Sequence, residues 1–372
     1  MASSERGATL FLCGDVMTGR GIDQVLPHPG APRLYEPYMD SALGYVEIAE
    51  RRSGRIERPV EPGYVWGDAL EELERERPDA RIVNLETAVT AAGDPWPGKG
   101  IHYRMHPLNA PCLSAARIDC CVLANNHVLD WGYRGLEETL ETLHRARIAT
   151  AGAGANADAA AAPAAIELAS GGRVLVFAYG AQSAGVPREW AAAQARPGVA
   201  FLEDLSSEAA DAVGKSVAAR RRAGDIVVVS LHWGGNWGYQ VSQAERAFAR
   251  RLVDCGAADV VHGHSSHHPK GIELYRERPI LYGCGDFLND YEGIGGHERF
   301  RPELSLMYFA GFDAAARLER LALVPMRTCR FRLGRAGEGD ARWLQRQLDR
   351  ESRRLGTRVR MLSPGVLLAV AA

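Results

Sequence analysis

Short apolar runs that stop abruptly at a polar or charged residue recur along the chain. The runs with the length and composition of a β-strand are 9–15, 81–86, 121–127, 174–180, 226–233, 259–264 and 279–286. Continuous Val, Ile and Leu runs between turn residues are typical of strands that are buried on both faces. The pattern therefore predicts sheets that lie in the interior of the protein.

Amphipathic helices are predicted between these strands. Three leucines of segment 134–147 recur at helical spacing and form one apolar stripe. Segment 242–256 opens with Ser242 and Glu245, which have the spacing of a capping box, and it ends at a glycine. Strands that alternate with helices indicate an α/β fold.

Long segments without either period separate some of these elements. They are 19–65, 90–110 and 288–303. Irregular segments of this length commonly serve as lids or binding loops, and we expect the same here. The C-terminal part, 327–372, is predicted to hold a helix over 338–354 and to end in the apolar run 366–372.

Composition narrows the class of protein. Of the 372 residues, 46% are hydrophobic and 24% are charged, as in an ordinary globular protein. The 44 basic and 46 acidic residues give a net charge of −2, which argues against a nucleic-acid partner and leaves the oligomeric state open.

The same composition bears on the compartment. The N-terminal apolar run 8–13 is too short for a signal peptide, and no run approaches the roughly 20 residues of a membrane span. The seven cysteines form no CxxC pair and are expected to be mostly buried free thiols of a reducing compartment. We therefore expect a cytoplasmic protein.

Side chains that can bind metal stand at the ends of the predicted strands. They are Asp15, Glu86, Asn126 with His127, His232 and His264. The ligand crevice of an α/β sheet lies at the carboxyl ends of its strands, and a buried strand needs none of these residue types. Carboxylate, amide and imidazole groups together suit Mn, Fe, Zn or Mg, and the absence of cysteine argues against a zinc finger. The sequence predicts a site for one or two divalent ions.

Six short motifs together resemble the CapA family. They are GDVM at 14–17, NLE at 84–86, ANNHVLDWG at 124–132, LHWG at 231–234, VHGHSSHHPKG at 261–271 and YGCGDF at 282–287. The family is associated with capsule and poly-γ-glutamate synthesis. It is similar to the calcineurin-like metallophosphoesterases, whose fold is a two-sheet β-sandwich flanked by helices. The resemblance implies this fold for a domain over 8–326, with 327–372 as an extension packed on it.

The resemblance also implies roles for single residues. The metal ligands would be Asp15, Glu86, Asn126, His232, His264 and His267. His127 would protonate the leaving group and Asp130 would orient it. Arg20, Lys99 and Arg104 are candidates for binding an anionic substrate, with ordinary surface charge as the alternative.

The first motif departs from the metallophosphoesterase pattern. Met17 stands where that pattern has a histidine, so one ion would lack a ligand unless water or Asp286 replaces it.

The closing motif departs as well, because Ser265 follows Gly263-His264 where the pattern has Gly-His-x-His. The spacing Gly-His-x-x-His, which is closer to CapA proteins, selects His264 and His267. His262 is then the alternative ligand, and His268 would only support the site.

Two functions follow from this set of residues. One is a metal-dependent hydrolase of CapA type, in which metal-activated water attacks a phosphoester or a γ-glutamyl-type amide bond. The other is a non-catalytic accessory protein of a polymer-biosynthesis assembly, in which the metal site binds an anionic small molecule or polymer.

Overall fold

The computed structural model describes residues 7–169 and 171–372. Their strands, in chain order, are β1 Thr9–Val16, β2 Arg33–Glu36, β3 Met39–Ser41, β4 Ala80–Leu85, β5 Ala88–Val89, β6 Arg104–Met105, β7 Cys120–Val122, β8 Ala149–Ala151, β9 Ala153–Gly154, β10 Ala164–Glu167, β11 Arg173–Ala181, β12 Gly198–Val199, β13 Phe201–Leu202, β14 Ile226–His232, β15 Val260–His264, β16 Ile272–Tyr275, β17 Arg278–Leu281, β18 Asp286–Leu288, β19 Leu304–Phe312, β20 Leu318–Cys329, β21 Arg332–Arg335, β22 Thr357–Ser363 and β23 Val366–Ala371. The α-helices are α1 Leu43–Ser53, α2 Ala69–Glu76, α3 Pro111–Ala115, α4 Gly132–Arg145, α5 Ala157–Ala161, α6 Ser207–Ala218, α7 Gln243–Asp254 and α8 Glu338–Arg353.

Two large sheets organise these strands. The first sheet has ten strands in the order β22-β23-β20-β19-β1-β4-β7-β8, with β18 paired to β1 and β21 paired to β20. The second sheet has seven strands in the order β10-β11-β14-β15-β17-β16, with β13 paired to β11. The predicted α/β fold with two sheets is confirmed.

The sheets and helices pack in layers. On β11, Val174 and Val176 join the core that contains the first sheet, whereas Leu175 and Phe177 join a separate core with α6 and α7. Successive side chains of a strand point to opposite faces, so the second sheet lies between the first sheet and these two helices. Helices α2 and α4 add their leucines to the core of the first sheet.

Parallel pairing aligns the strand ends that carry the predicted ligands. Strand β1 runs parallel to β4 and β18, and β14 runs parallel to β15. The register places Asp15 level with Asn84 and Asp286, and His232 level with His264. The polar ends of both sheets therefore meet in one region.

Several predicted elements need correction. The single strand expected at 279–286 is two strands, because the chain leaves the second sheet after β17 and enters the first sheet as β18. The strand expected at 121–127 ends at Val122, and Asn126 lies in the turn that follows. Segment 19–65 was expected to be irregular, yet it contains β2, β3 and α1.

Other predictions agree with the structure. The capping box of Ser242 and Glu245 opens α7, and α8 covers the helix expected at 338–354. The apolar run 366–372 supplies β23, which pairs with β20 at the side of the first sheet. Five of the seven cysteines are buried, whereas Cys255 and Cys329 are exposed. Among the described helices, none combines the length and apolar character that crossing a bilayer requires.

Candidate metal centre

Asp15 and Asp286 lie side by side in the interior, where β1 meets β18. Asn84 Nδ2 donates to Asp15 Oδ1 at 2.7 Å, and the Ser265 backbone N–H donates to Asp15 Oδ2 at 3.1 Å. Asn289 Nδ2 donates to Asp286 Oδ2 at 2.8 Å. Both carboxylates are thus oriented by neighbouring amides and shielded from water.

His232 and His264 end two adjacent strands with their Nδ1 atoms 2.8 Å apart. Ser230 Oγ lies 2.8 Å from His264 Nε2 and 3.1 Å from His262 Nδ1. His262 Nε2 is 2.7 Å from the carbonyl oxygen of Cys13. Protein groups occupy both nitrogens of His262, which therefore braces the strands and orients His264 through the serine.

Two groups of potential ligand atoms share Asp15. One consists of Asp15, His232 and His264, and the other of Asp15, His267 and Asp286. Within each group the ligand atoms lie within 4.8 Å of one another; four of the five residues are buried, and His267 is mostly buried. His267 Nδ1 is 2.9 Å from Asp286 Oδ1. The arrangement offers two adjacent positions for cations, with Asp15 between them.

Glu86 and Asn126 approach the same cluster from the first sheet. Asn126 Oδ1 is 2.9 Å from His232 Nε2. Glu86 Oε1 lies 3.9 Å from His232 Nε2 and 3.7 Å from His127 Nε2. Glu86 Oε2 is buried without a hydrogen-bond partner among the described residues. A buried carboxylate oxygen left unpaired is costly, and a cation beside it would relieve that cost.

His127 is held by a buried carboxylate. Its Nδ1 lies 2.6 Å from Asp130 Oδ2, and Asp130 also accepts from the Tyr103 backbone N–H and pairs with Lys99 Nζ at 2.6 Å. The ionised Asp130 carboxylate only accepts, so we assign a proton on His127 Nδ1 to the shorter bond with Asp130, although Lys99 Nζ also lies 3.1 Å from that nitrogen. Nε2 of His127 then faces Glu86 and the cluster.

Burial shifts the protonation of the cluster. Burial and the nearby Asp286 carboxylate raise the pKa of Asp15 to about 7. Burial, together with Asp15, also raises the pKa of Glu86 well above its usual value. Burial lowers the pKa values of His232 and His264 far below those of free imidazole. A bound cation would favour the ionised carboxylates, and the neutral imidazole is already the form that binds metal, so the donor set fits a divalent metal.

Met17 is buried and lies beside Tyr291. The Tyr291 hydroxyl donates to its sulfur at 3.7 Å, and the Tyr103 hydroxyl donates to Tyr291 at 2.9 Å. A thioether is a weak acceptor and a soft ligand, which suits this tyrosine contact better than a hard cation. Asp286 takes the place beside Asp15 instead.

The predicted anion-binding residues are placed differently from one another. Lys99 lines the cavity of about 350 Å³ that also contains Glu86, Asn126, His127 and His267. The Arg20 guanidinium is buried and already bonds Glu36 and Asp290, and the Arg104 guanidinium stacks on Trp131 in a second, smaller cavity.

His268 lies apart from both ligand groups. Its Nε2 accepts from the Gly238 backbone N–H at 3.1 Å, and its ring stacks on Phe300. Sequence reasoning did not single out Tyr103 or Asn236 as residues that line the cavity. The sequence signal for Tyr103 as a cavity residue was its position in the predicted binding segment 90–110.

The fold and the centre define an α/β protein of two sheets with carboxylates and imidazoles gathered where the strands end. The family model for the bacterial capsule synthesis protein PGA_cap matches residues 9–291, and the chain belongs to this family. It is 50% identical over its whole length, and over 97% of the relative's, to a probable polyglutamine synthesis accessory protein of Mycobacterium tuberculosis. It is 26% identical over 82% of its length to the PGA biosynthesis protein CapA of Bacillus subtilis, of which the match covers 68%.

Among solved structures, the chain is similar to that of a 5'-nucleotidase precursor from Thermus thermophilus, at 15% identity and a TM-score of 0.43. The match covers 86% of this chain and 54% of that one.

Proposed function

We propose that the protein is a metal-dependent hydrolase that acts on an anionic substrate of capsule or poly-γ-glutamate metabolism. The bond would be a γ-glutamyl-type amide or a phosphoester. One observation carries the proposal: a single cavity is lined by His267 of one ligand group, by Glu86 and Asn126, and by His127, whose ring Asp130 holds. The names of the relatives support the link to polyglutamate and capsule synthesis.

The residues that would hold divalent ions are Asp15, Glu86, Asn126, His232, His264, His267 and Asp286. A bound ion would supply Lewis acidity and help to ionise water at neutral pH. Hydrogen bonds from Asn84 and Ser265 fix Asp15, and Ser230 fixes His264, so the ligands would need little rearrangement.

His127 would move the proton. Burial and the charge of Lys99 lower the pKa of His127 to about 4, so Nε2 carries no proton at neutral pH before substrate binds. Nε2 would therefore first accept a proton from water and then return it to the leaving group. Asp130 holds the ring in the required tautomer and stabilises the charged imidazolium.

Lys99 would attract the substrate. Its ammonium lines the cavity while it pairs with Asp130 and donates to the carbonyl oxygen of Ile101 at 3.0 Å. A fixed positive charge at the wall of a cavity favours an anionic group in the substrate.

The test is a set of hydrolysis assays on protein with measured metal content. An aryl phosphate and a series of γ-glutamyl peptides are offered with added Mn, Zn or Mg. We expect one of the two substrate types to be hydrolysed and His127→Ala to lower kcat by about 100-fold or more while metal content stays constant. His144→Ala, on the exposed face of α4, is the matched control. Full activity of the His127 variant would remove the proposed proton-transfer role.

Met17 and the name of the mycobacterial relative favour a second candidate function. An accessory protein would bind the anionic polymer at the metal without cleaving it. This function predicts polymer binding that depends on metal, with no turnover of any peptide or phosphate in the same assays. Hydrolysis of either substrate type, lost in the His127 variant, would exclude it.

A further inference from the structure

A second polar cavity, much smaller at about 10 Å³, lies next to the metal cavity, so a ligand group would bind at its rim. The segment from Lys99 to Arg104 separates them: Ile101 and Tyr103 line the metal cavity, and His102 and Arg104 line the other. This segment thus forms a wall of both cavities. A long ligand that extends out of the first cavity would reach the second.

The second cavity contains two arginines without acidic partners. Neither Arg33 nor Arg104 forms an ion pair or a side-chain hydrogen bond within the described part of the chain. The Arg104 guanidinium lies 3.8 Å from the ring centroid of Trp131, and that of Arg33 lies 5.2 Å from the ring of Tyr35. Arg33 is exposed and Arg104 is half-buried, so both guanidiniums are accessible to an external anion.

The acid that lines this cavity forms no ion pair with either arginine. Asp23 lines the same cavity, but its carboxylate accepts from the backbone N–H groups of Gly30 and His106 and from the Asn109 side chain. Burial lowers the pKa of Arg104, and Tyr35 and Asp23 offset this effect only in part.

His102 gives an independent sign of a missing ligand. Its side chain is 3% exposed, and Nε2 bonds the carbonyl oxygen of Trp96 at 3.0 Å. Nδ1 is buried without a hydrogen-bond partner among the described residues. The ring packs edge-on against Tyr35 and Trp131. An unpaired buried nitrogen beside two free guanidiniums indicates a site that a polar ligand completes.

We propose that Arg33, Arg104 and His102, framed by Tyr35 and Trp131, form a second anion-binding subsite for a polyanionic chain that also reaches the metal cavity. The inference rests on the proposed function for the identity of that chain. The anionic groups would be carboxylates of a γ-glutamyl chain or phosphates of a phosphate chain. Charge-assisted bonds from both guanidiniums would hold one such group.

Direct binding tests this subsite separately from turnover. The full chain carrying His127→Ala is titrated calorimetrically with a γ-glutamyl dipeptide, a γ-glutamyl chain of about ten residues and a polyphosphate of similar length. At roughly 3 Å or more per residue, the ten-residue chain can pass round one segment of protein, whereas the dipeptide can occupy only one cavity. We expect the long chain to bind more tightly, with an affinity that falls as salt is added.

The double variant Arg33→Gln/Arg104→Gln, made in the same background, removes both charges. We expect it to weaken binding of the long chain by about tenfold or more and to leave the dipeptide unaffected. Arg346→Gln, an exposed arginine of α8 without a partner among the described residues, is the control. Arg104→Lys should keep most of the affinity, because the charge is retained. Thermal melting confirms that each variant is folded.

The outcomes separate the two proposals. Loss confined to the γ-glutamyl chain assigns the subsite to carboxylates, and loss confined to polyphosphate assigns it to phosphates. Unchanged binding of both long chains in the double variant overturns the subsite, even if the wild-type protein proves to be a hydrolase. Loss of long-chain binding in a protein that hydrolyses nothing would uphold the subsite and contradict the hydrolase.

Discussion

At the scale of single residues, hydrogen bonds separate histidines that look equivalent in the sequence. His264 presents Nδ1 to His232 and Asp15, whereas His262 is bonded through both nitrogens to Ser230 and Cys13. The sequence spacing predicted His264 as a ligand. The roles of the other histidines follow only from the hydrogen-bond partners of each ring.

His264→Ala is expected to remove metal from the protein. One of the two ligand groups would retain only two of its members, and few ions bind tightly to two protein ligands. Elemental analysis of purified protein should show a loss of about one ion per chain. His262→Ala should keep its metal and instead lower the free energy of unfolding by about 1–3 kcal/mol, because the Ser230 and Cys13 groups lose their partner. Equal metal content in both variants would contradict this assignment.

Asp15 makes metal binding and stability depend on pH. Its pKa is about 7 in the folded, metal-free protein against a usual value of 3.8, so between about pH 4 and pH 7 the folded state holds more protons than the unfolded chain. The free energy of unfolding of metal-free protein should therefore fall as pH rises through that window. Metal binding requires the ionised carboxylate, so metal affinity should rise over the same range.

Thermal melting of metal-free protein and metal titrations at pH 5, 6, 7 and 8 would measure both trends. Asp15→Asn is the control for the stability trend, which should become flatter because the titrating group is gone. A metal affinity that stays constant from pH 5 to pH 8 would refute the coupling.

At the scale of elements, the contact between β1 and β18 positions the centre. The register of β1 shifts between Leu12 and Asp15 against β4, so a bulge falls immediately before the ligand. Bulges redirect side chains at functional sites. The Asp15 backbone N–H donates to the carbonyl oxygen of Gly285 at 3.0 Å, which brings the two strands together.

Gly14→Ala should break this contact. A Cβ atom on Gly14 would lie 1.6 Å from the Gly285 carbonyl oxygen, and neither backbone can yield without moving its strand. We expect the free energy of unfolding to fall by about 3 kcal/mol and the metal content to drop, because Asp15 and Asp286 separate. Gly339→Ala, in α8 with no heavy atom within 4 Å of the added carbon, is the control and should behave as wild type. A folded Gly14 variant with full metal content would disprove the role of this contact.

The sequence predicted elements better than it predicted their assignment to sheets. Apolar runs ending in polar residues identified β1, β4, β11, β14 and β15, because a buried parallel strand leaves that pattern in the sequence. The same pattern predicted one strand over 279–286, because no local sequence feature marks the point where the chain passes from one sheet to the other. Strand β19 was not predicted, because a short apolar run fits a buried helix as well as a strand. Asp286 lies beside Asp15 because two strands far apart in the sequence pair with each other. From the sequence, Asp286 could be named only as an alternative ligand.

At the scale of the whole molecule, the C-terminal part shares the core of the first sheet. Leu344 and Leu348 of α8, Val359 of β22 and Leu367 of β23 are buried in the core that also contains β1 and β4. Strand β23 pairs with β20 from Leu321 to Leu323, so the sheet continues through the extension. The extension therefore packs on the sheet that carries Asp15. The domain boundary at residue 326 remains a prediction.

Removal of 337–372 should therefore prevent stable folding. The truncated chain would expose the edge of β20 and the apolar side chains that α8 and β23 cover, which favours aggregation. We expect no cooperative thermal transition by circular dichroism and elution as aggregates in size-exclusion chromatography. The full chain with Met361→Ser and Leu362→Ser, at exposed positions of β22, is the control and should remain folded. A soluble truncated chain with its full metal content would show instead that residues 8–336 form the metal centre without α8, β22 and β23.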